Sequence, residues 1–296
     1  MRAAFLLAAA AVTLGGRSTP PDPRLDPDLP SLAIPDSLWG RSGRLFARIV
    51  PPTADEAARP VARLFGPESI RRPAVWRVRD SLSGVPFAFI TLRPFAEKQE
   101  GRVGVYRVGR WPYEGREPRE DAYRLPDGFI EVTEENAELR LSRQFRLRDF
   151  LDHSQEEVWP KALVLDLRLV DKLELITDAL RAAGHSRARL VLNSGFRTPQ
   201  TNARGVRSAQ TPDSRHQYGD AADIFVDGNG DGRMDDLNGD GRVTLADAQV
   251  LAGVVRQVER WFPELTGGIG LYAGSNGRSP FVHVDTRGVT ARWGPP

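Results

Sequence analysis

Ser214-Arg-His-Gln-Tyr-Gly-Asp-Ala-Ala-Asp223 is the stretch from which the rest of the chain is read. It sets a histidine and an aspartate seven residues apart around a glycine, with small residues before the aspartate. A second histidine stands much later, in Phe281-Val-His-Val-Asp285, so these two places hold two of the chain's four histidines. Two imidazoles and one carboxylate, His216, Asp223 and His283, make a three-ligand set suited to zinc with a fourth position open. Metal-assisted hydrolysis needs that opening, because water and a carbonyl must reach the ion. Taken singly, His216 reads as a surface-loop histidine and His283 as a core histidine. The metal reading rests on the three together. Gly219 supplies the turn between the first two ligands, and Ala221 and Ala222 leave room for close approach. His283 falls on an alternating strand, so Asp285 shares its face. Asp285 then either orients a ligand from behind or acts on the attacking water.

Composition sets the outer bounds. The 296 residues suffice for one large domain or two ordinary ones, and 40% hydrophobic residues suffice for a sizeable core. The net charge of +2 is too small to make nucleic acid the main partner, and no groove-reading motif is present. Cysteine is absent, which excludes disulfides, thiolate-held metals and cysteine nucleophiles. Residues 1–16 carry an early arginine, an apolar run and a small-residue end, the pattern of a secretory signal peptide. The run is short against the roughly 20 residues of a membrane span, and no later stretch is long and apolar enough. The expected location is therefore periplasmic or extracellular. Residues 17–36 are proline-rich and read as an extended linker.

From 37 to 135 the pattern is that of a small β-rich module. Val75-Trp-Arg-Val-Arg alternates as a half-buried strand does, and Pro86 to Leu92, Val103 to Val108 and Phe129 to Thr133 are further strand-like runs. Arg102, Arg107, Arg110, Arg116 and Arg119 interleave with Tyr106, Trp111 and Tyr113. They read as a solvated strand face in preference to a grip on an anionic wall polymer. Leu141 to Leu151 carries an apolar cluster. Leu169, Val170, Leu173, Ile176 and Leu180 recur at helical steps, with Gly184 placed as the C-terminal cap. Arg189 to Asn193 reads as a strand leading into a loop, Ser194 to Asn202. Ala222 to Val226 is a strand, and Leu245 to Phe262 is a helix with Leu251, Val254, Val255, Val258 and Trp261 on one face. Short strands close the chain near Ile269–Tyr272 and Phe281–Asp285. Helices and strands mix without βαβ alternation, so the expected class is α+β.

Three motifs, Ser194-Gly-Phe-Arg197, Ser214-x-His-x-x-Gly-x-Ala-x-Asp223 and Phe281-Val-His-Val-Asp-Thr286, resemble the zinc D-alanyl-D-alanine carboxypeptidase and murein endopeptidase family, which shares its fold with the hedgehog signalling domain. The resemblance covers about residues 140–294, and it implies a zinc peptidase domain over 136–296. It implies zinc on His216, Asp223 and His283. It also implies a role for Arg197 in steadying substrate or a developing oxyanion, which an always-charged fork of donors suits. The bland alternative is that Arg197 pins its own loop. Ser214 and Tyr218 become substrate-contact candidates. The implied substrates are peptidoglycan stem peptides or their cross-links, with the endopeptidase branch favoured by the closing motif. The carry-over fails at the general base: the positions that hold an acid or histidine in many members are Pro280 and Phe281 here. Asp285 is the remaining candidate for that part. His153 and His185 read as structural.

An acidic insert at 227–247 lies between the two halves of the ligand set. Asp236-Leu-Asn-Gly-Asp-Gly-Arg-Val-Thr-Leu-Ala-Asp247 has the spacing of a twelve-residue calcium loop. Oxygen ligands fall at Asp236, Asn238 and Asp240, the Arg242 carbonyl follows, and Asp247 replaces the usual glutamate. Asp227, Asn229 and Asp231 begin a second such loop, whose twelfth position, Asn238, belongs to the next one. Two other readings stand beside the enzyme. A metal-containing wall-binding module without catalysis is favoured by the missing base. A dockerin-like adhesion partner fits less well, because dockerins use two full loops at a terminus.

Overall fold

The computed structural model describes residues 29–52, 58–206, 211–274 and 279–295. The expected signal peptide and residues 17–28 of the expected linker lie outside the described residues. The end of that linker is packed into the fold: Ser31–Leu32 forms strand β1, and Ile34 is buried with its N–H on Asp80 Oδ1.

The first sheet is built from β1, β2 (Ala47–Val50), β3 (Ala74–Asp80) and β4 (Pro86–Thr91) in the order β1-β3-β4-β2. The β3–β4 hairpin turns at Ser83-Gly84, where Asp80 accepts the Ser83 N–H and hydroxyl and Gly84 takes φ +71°. Nearly every residue of β4 is buried, because both faces of this sheet are covered. On one side Ile34, Trp39, Val78, Phe87 and Phe89 pack with Val61 of helix α1 (Arg59–Phe65) in a small separate core. On the other, Ala47, Ala88 and Ile90 join the main core.

The next strands are β5 (Arg93–Pro94), β6 (Arg102–Val103), β7 (Tyr106–Arg107), β8 (Gly128–Val132) and β9 (Lys161–Leu163). The run expected as one strand from Val103 to Val108 is instead a tight β6–β7 hairpin, because Gly104 turns the chain at φ +56°. The five arginines of this region are exposed, while Tyr106 and Trp111 are core residues. Strand β8 pairs antiparallel with β9, so hydrogen bonds cross the point near 135 where the sequence divides the chain.

Helix α2 (Leu167–Ala182) starts at Asp166, whose carboxylate accepts the Arg168 N–H. It ends as expected at Gly184, with His185 N–H on Leu180 O and Gly184 N–H on Arg181 O, the paired bonds of a Schellman cap. The final sheet takes β10 (Leu190–Ser194), β11 (Ala221–Val226), β12 (Gly268–Tyr272), β13 (Phe281–Asp285) and β14 (Ala291–Trp293) in the order β10-β11-β13-β12-β14. Its Ile224, Val282 and Val284 side chains are fully buried in the main core. In that core they share space with Leu251, Val255 and Val258 of helix α4 (Leu245–Trp261), which follows helix α3 (Pro199–Val206) in the chain; Trp261, expected on the same face, is instead exposed, because it is the helix's last residue and lies past the packed turns. The class is α+β. The loop expected after Ser194 is shorter than anticipated, because α3 begins at Pro199, with Thr198 Oγ1 accepting the Thr201 N–H. No helix among the described residues is long and apolar enough to cross a membrane.

Candidate metal centre

His216 sits in a single 3₁₀ turn, Arg215–Tyr218, directly before β11. The turn ends at Gly219 with φ +70°, and a Cβ there would lie 2.2 Å from Val164 O. Only glycine fits that left-handed, close-packed position. The chain then enters β11 with Ala221 and Ala222 fully buried. Asp223 stands opposite His283 in the β11–β13 register. Two strands and one turn thus bring three side chains together across 67 residues of sequence.

The three ligand atoms form a tight triangle. His216 Nε2 lies 3.2 Å from Asp223 Oδ1 and 3.1 Å from His283 Nδ1, and His283 Nδ1 lies 3.0 Å from Asp223 Oδ1. A tetrahedral ion with bonds of about 2.0–2.1 Å sets its ligands about 3.3 Å apart, so the donor set fits zinc in type and spacing. Among the described residues this is the single group of three His, Cys, Asp or Glu side chains whose ligand atoms lie within 4.8 Å of one another.

The atoms facing away from the triangle are anchored. His216 Nδ1 is 2.6 Å from Gly195 O, and His283 Nε2 is 3.2 Å from Asp285 Oδ2. Such anchors fix ring orientation and the tautomer that leaves the facing nitrogen free. Gly195 is required for the first contact, because a Cβ on it would lie 2.7 Å from Phe150 Cα. The His216 carbonyl accepts from Arg197 N–H, and the Gln217 carbonyl accepts from Trp111 Nε1 at 2.9 Å, so the N-terminal half of the chain buttresses the turn.

Asp285 lies behind His283 and not on the side facing the cluster. Its Oδ1 accepts the Gly268 N–H at 2.7 Å, and Arg287 donates to both oxygens. Fully buried and committed to these donors, it orients His283, and the alternative of acting on an attacking water is not supported by this placement. Arg287 itself carries no sequence signal. Pro280 and Phe281 bring no acid to the site, and Phe281 stacks on Tyr272.

Arg197 places Nη2 3.4 Å from Asp223 Oδ2, while its Nε is buried with no hydrogen-bond partner. Tyr218 turns elsewhere: its ring packs edge-on against Tyr123 under the Arg215 guanidinium, and it lines a cleft with Asp166, Arg168 and Asp220. Ser214 is buried at the start of the turn, where its carbonyl accepts the Gln217 N–H. His153 and His185 lie outside the cluster.

The electrostatics follow from burial and mutual contact. Burial holds His216 below the usual imidazole range. Burial also pulls His283 down, but hydrogen bonds to Asp223 and Asp285 outweigh it and leave His283 raised. Asp223 and Asp285 are pushed up by burial, yet their histidine and arginine partners dominate and hold both well below the carboxylate range. The two imidazoles are therefore shifted in opposite directions, His216 down by burial and His283 up by its two carboxylate partners.

In the acidic insert, the Asp236 carboxylate accepts the N–H groups of Gly239, Asp240 and Gly241, and Asp227 accepts those of Gly230, Asp231 and Gly232. Asn238 and Asp240 cap the second loop as Asn229 and Asp231 cap the first. Asp247 is fully buried, and its oxygens accept from Leu237, Asn238 and Thr244 N–H. It thereby closes the capping box that starts α4 at Thr244.

No family model matches the chain, and no curated protein matches it. Among solved structures, the crystal structure of the L-Ala D-Glu endopeptidase ChiX of Serratia marcescens aligns with a TM-score of 0.26 and 19% identity. The alignment covers 42% of this chain and 82% of that one, a likeness too slight to carry an argument.

Proposed function

We propose that the chain is a secreted zinc peptidase that hydrolyses peptide bonds in peptidoglycan, with cross-link endopeptidase activity favoured over D,D-carboxypeptidase activity. The observation that carries the reading is the triangle of His216 Nε2, Asp223 Oδ1 and His283 Nδ1, with both imidazoles anchored on their outer nitrogens. These three residues would hold the ion, which when bound polarises a carbonyl and acidifies water. The chain's own contribution is positioning. Gly195 O and Asp285 fix the rings, and Arg197 holds the second oxygen of Asp223, where its fixed charge stands beside the cluster. The peptidoglycan assignment draws on the three sequence motifs, and secretion on the pattern of residues 1–16.

The test is digestion of purified peptidoglycan by the mature protein beside His216→Ala, with fragments separated by chromatography. Fragments from the native protein alone are expected, and their masses name the bond. Absence of fragments from a zinc-loaded native protein would favour the second reading, a non-catalytic wall-binding module, which the apolar side chains at Pro280 and Phe281 support.

The reading extends to calcium on Asp236, Asn238, Asp240, the Arg242 carbonyl and Asp247, with a weaker loop at Asp227, Asn229 and Asp231. It is supported by the loop spacing and by the insert's place between the strand of Asp223 and the helix that precedes His283. Calcium at 100 times its Kd is expected to stabilise the fold by about 2.7 kcal/mol, read as a rise in Tm that Asp236→Ala abolishes. An unchanged Tm would remove calcium from the account.

A further inference from the structure

The face of the sheet that carries the ligands continues past them. Register sets Asp223 opposite His283, His283 opposite Gly270, and Gly270 opposite Trp293, so one row crosses β11, β13, β12 and β14. Gly270 puts nothing into its place in that row, and the Trp293 indole fills it: a Cβ on Gly270 would stand 2.3 Å from Trp293 Nε1. Gly268 makes the same room, with a Cβ there 2.9 Å from the ring. The indole thereby reaches His283, with ring centroids 5.0 Å apart. Its Nε1 donates to Tyr272 Oη at 2.9 Å, and Tyr272 stacks on Phe281 with centroids 4.6 Å apart and planes 4° from parallel. Phe281 precedes His283 by two residues on the same face.

Trp293 and Tyr272 are nonetheless 37% and 39% exposed. Aromatic surface bordering the candidate ligands is thus left partly open to solvent, with the Arg287 guanidinium 5.8 Å from the Trp293 ring centre, and the Trp293 and Tyr272 polar atoms are engaged with each other. The geometry points to Trp293, with Tyr272 and Phe281, as a subsite for an N-acetylated pyranose ring of the glycan strand that carries the scissile peptide. A pyranose offers a C–H face that the electron-rich faces of aromatic rings attract. The short alanine side chains of a stem peptide would cover little of a three-ring wall, and its charged groups would find no partner among these rings. This inference rests on the peptidoglycan reading above for the identity of the sugar.

The test titrates metal-free protein with a soluble oligomer of N-acetylglucosamine, followed by tryptophan fluorescence and NMR shifts. Saturable binding is expected. Trp293→Ala should weaken it about tenfold or more. Gly270→Ala should do the same while keeping the indole, because it displaces the ring from its place. Trp261→Ala, which removes an exposed indole on α4, should leave binding unchanged. Trp293→Phe, which keeps a ring, is the second variant should the alanine form fail to fold, and it should retain part of the affinity. No saturation with the native protein, or equal affinity after Trp293→Ala, would overturn the subsite. Cleavage of intact peptidoglycan and of a sugar-free stem peptide is measured in parallel. Sugar binding without cleavage of either would defeat the peptidase reading and leave the subsite standing. An equal loss of kcat/KM on both substrates in Trp293→Ala would show that the wall grips peptide, and would overturn the sugar assignment.

Discussion

Protein carrying His283→Ala is expected to retain no zinc after dialysis, measured by elemental analysis, and to lose peptidoglycan cleavage to background. The triangle keeps only His216 and Asp223 in that variant, and two ligands do not make the three-ligand protein set of a catalytic zinc site. Asp285→Asn is the gentler probe. It keeps all three ligands but alters the partner of His283 Nε2, and a loss of about 10- to 100-fold in zinc affinity is expected. The same geometry sets the pH dependence. The proton on His283, whose affinity for it is raised above the ordinary imidazole, competes with the metal. Zinc affinity should therefore fall by about tenfold for each pH unit below that raised pKa. The metal-free protein should show the opposite trend. A histidine with a raised folded-state pKa contributes stability that is fully present below its unfolded value and is lost as pH rises through the folded one. Zinc affinity that is flat across this range would argue that His283 does not ligate.

Glu259→Ala is expected to destabilise the fold by about 3–5 kcal/mol in chemical denaturation. Lys172 on α2 is fully buried, with Nζ 2.7 Å from Glu259 Oε1 and 2.7 Å from the Asp285 carbonyl. Glu259 also accepts from Gly267 N–H at 3.0 Å and from Arg292 Nη2 at 2.5 Å. One carboxylate thus ties α2, α4, the start of β12 and the closing strand together behind the candidate site. Removing it strands a buried ammonium, which costs far more than a surface pair would. Burial already lowers the Lys172 pKa against the pull of Glu259, so the variant should lower it further. A lysine whose folded pKa lies below its unfolded one binds fewer protons in the folded state, so stability rises with pH. The deficit of Glu259→Ala should accordingly shrink between neutral and alkaline pH. A deficit unchanged by pH would mean that the loss is one of packing alone.

Much of this was legible in the chain itself, for local reasons. The Leu169 to Leu180 periodicity and Gly184 marked α2 and its cap, because helix burial and left-handed termination each leave a short-range imprint. The candidate trio was legible because a metal site draws its donors from few residue types, and Gly219 because the tight turn before β11 demands it. What failed locally had a local competitor: Gly104 broke an apparent strand into a hairpin, and Thr198-Pro199 started a helix inside an apparent loop.

Sequence alone determined the mixed class, the main helices and the identity of the three candidate ligands. Only the tertiary structure decided which nitrogen of each imidazole faces the cluster, and that Asp285 meets the outer nitrogen of His283 and stays out of the triangle. It alone turned Tyr218 toward Arg215 and set Trp293 in the gap above Gly270. The reason is physical. Residue type and spacing record what the backbone must do nearby, whereas the partner of a side chain is set by strand register and by which distant element fills the space beside it.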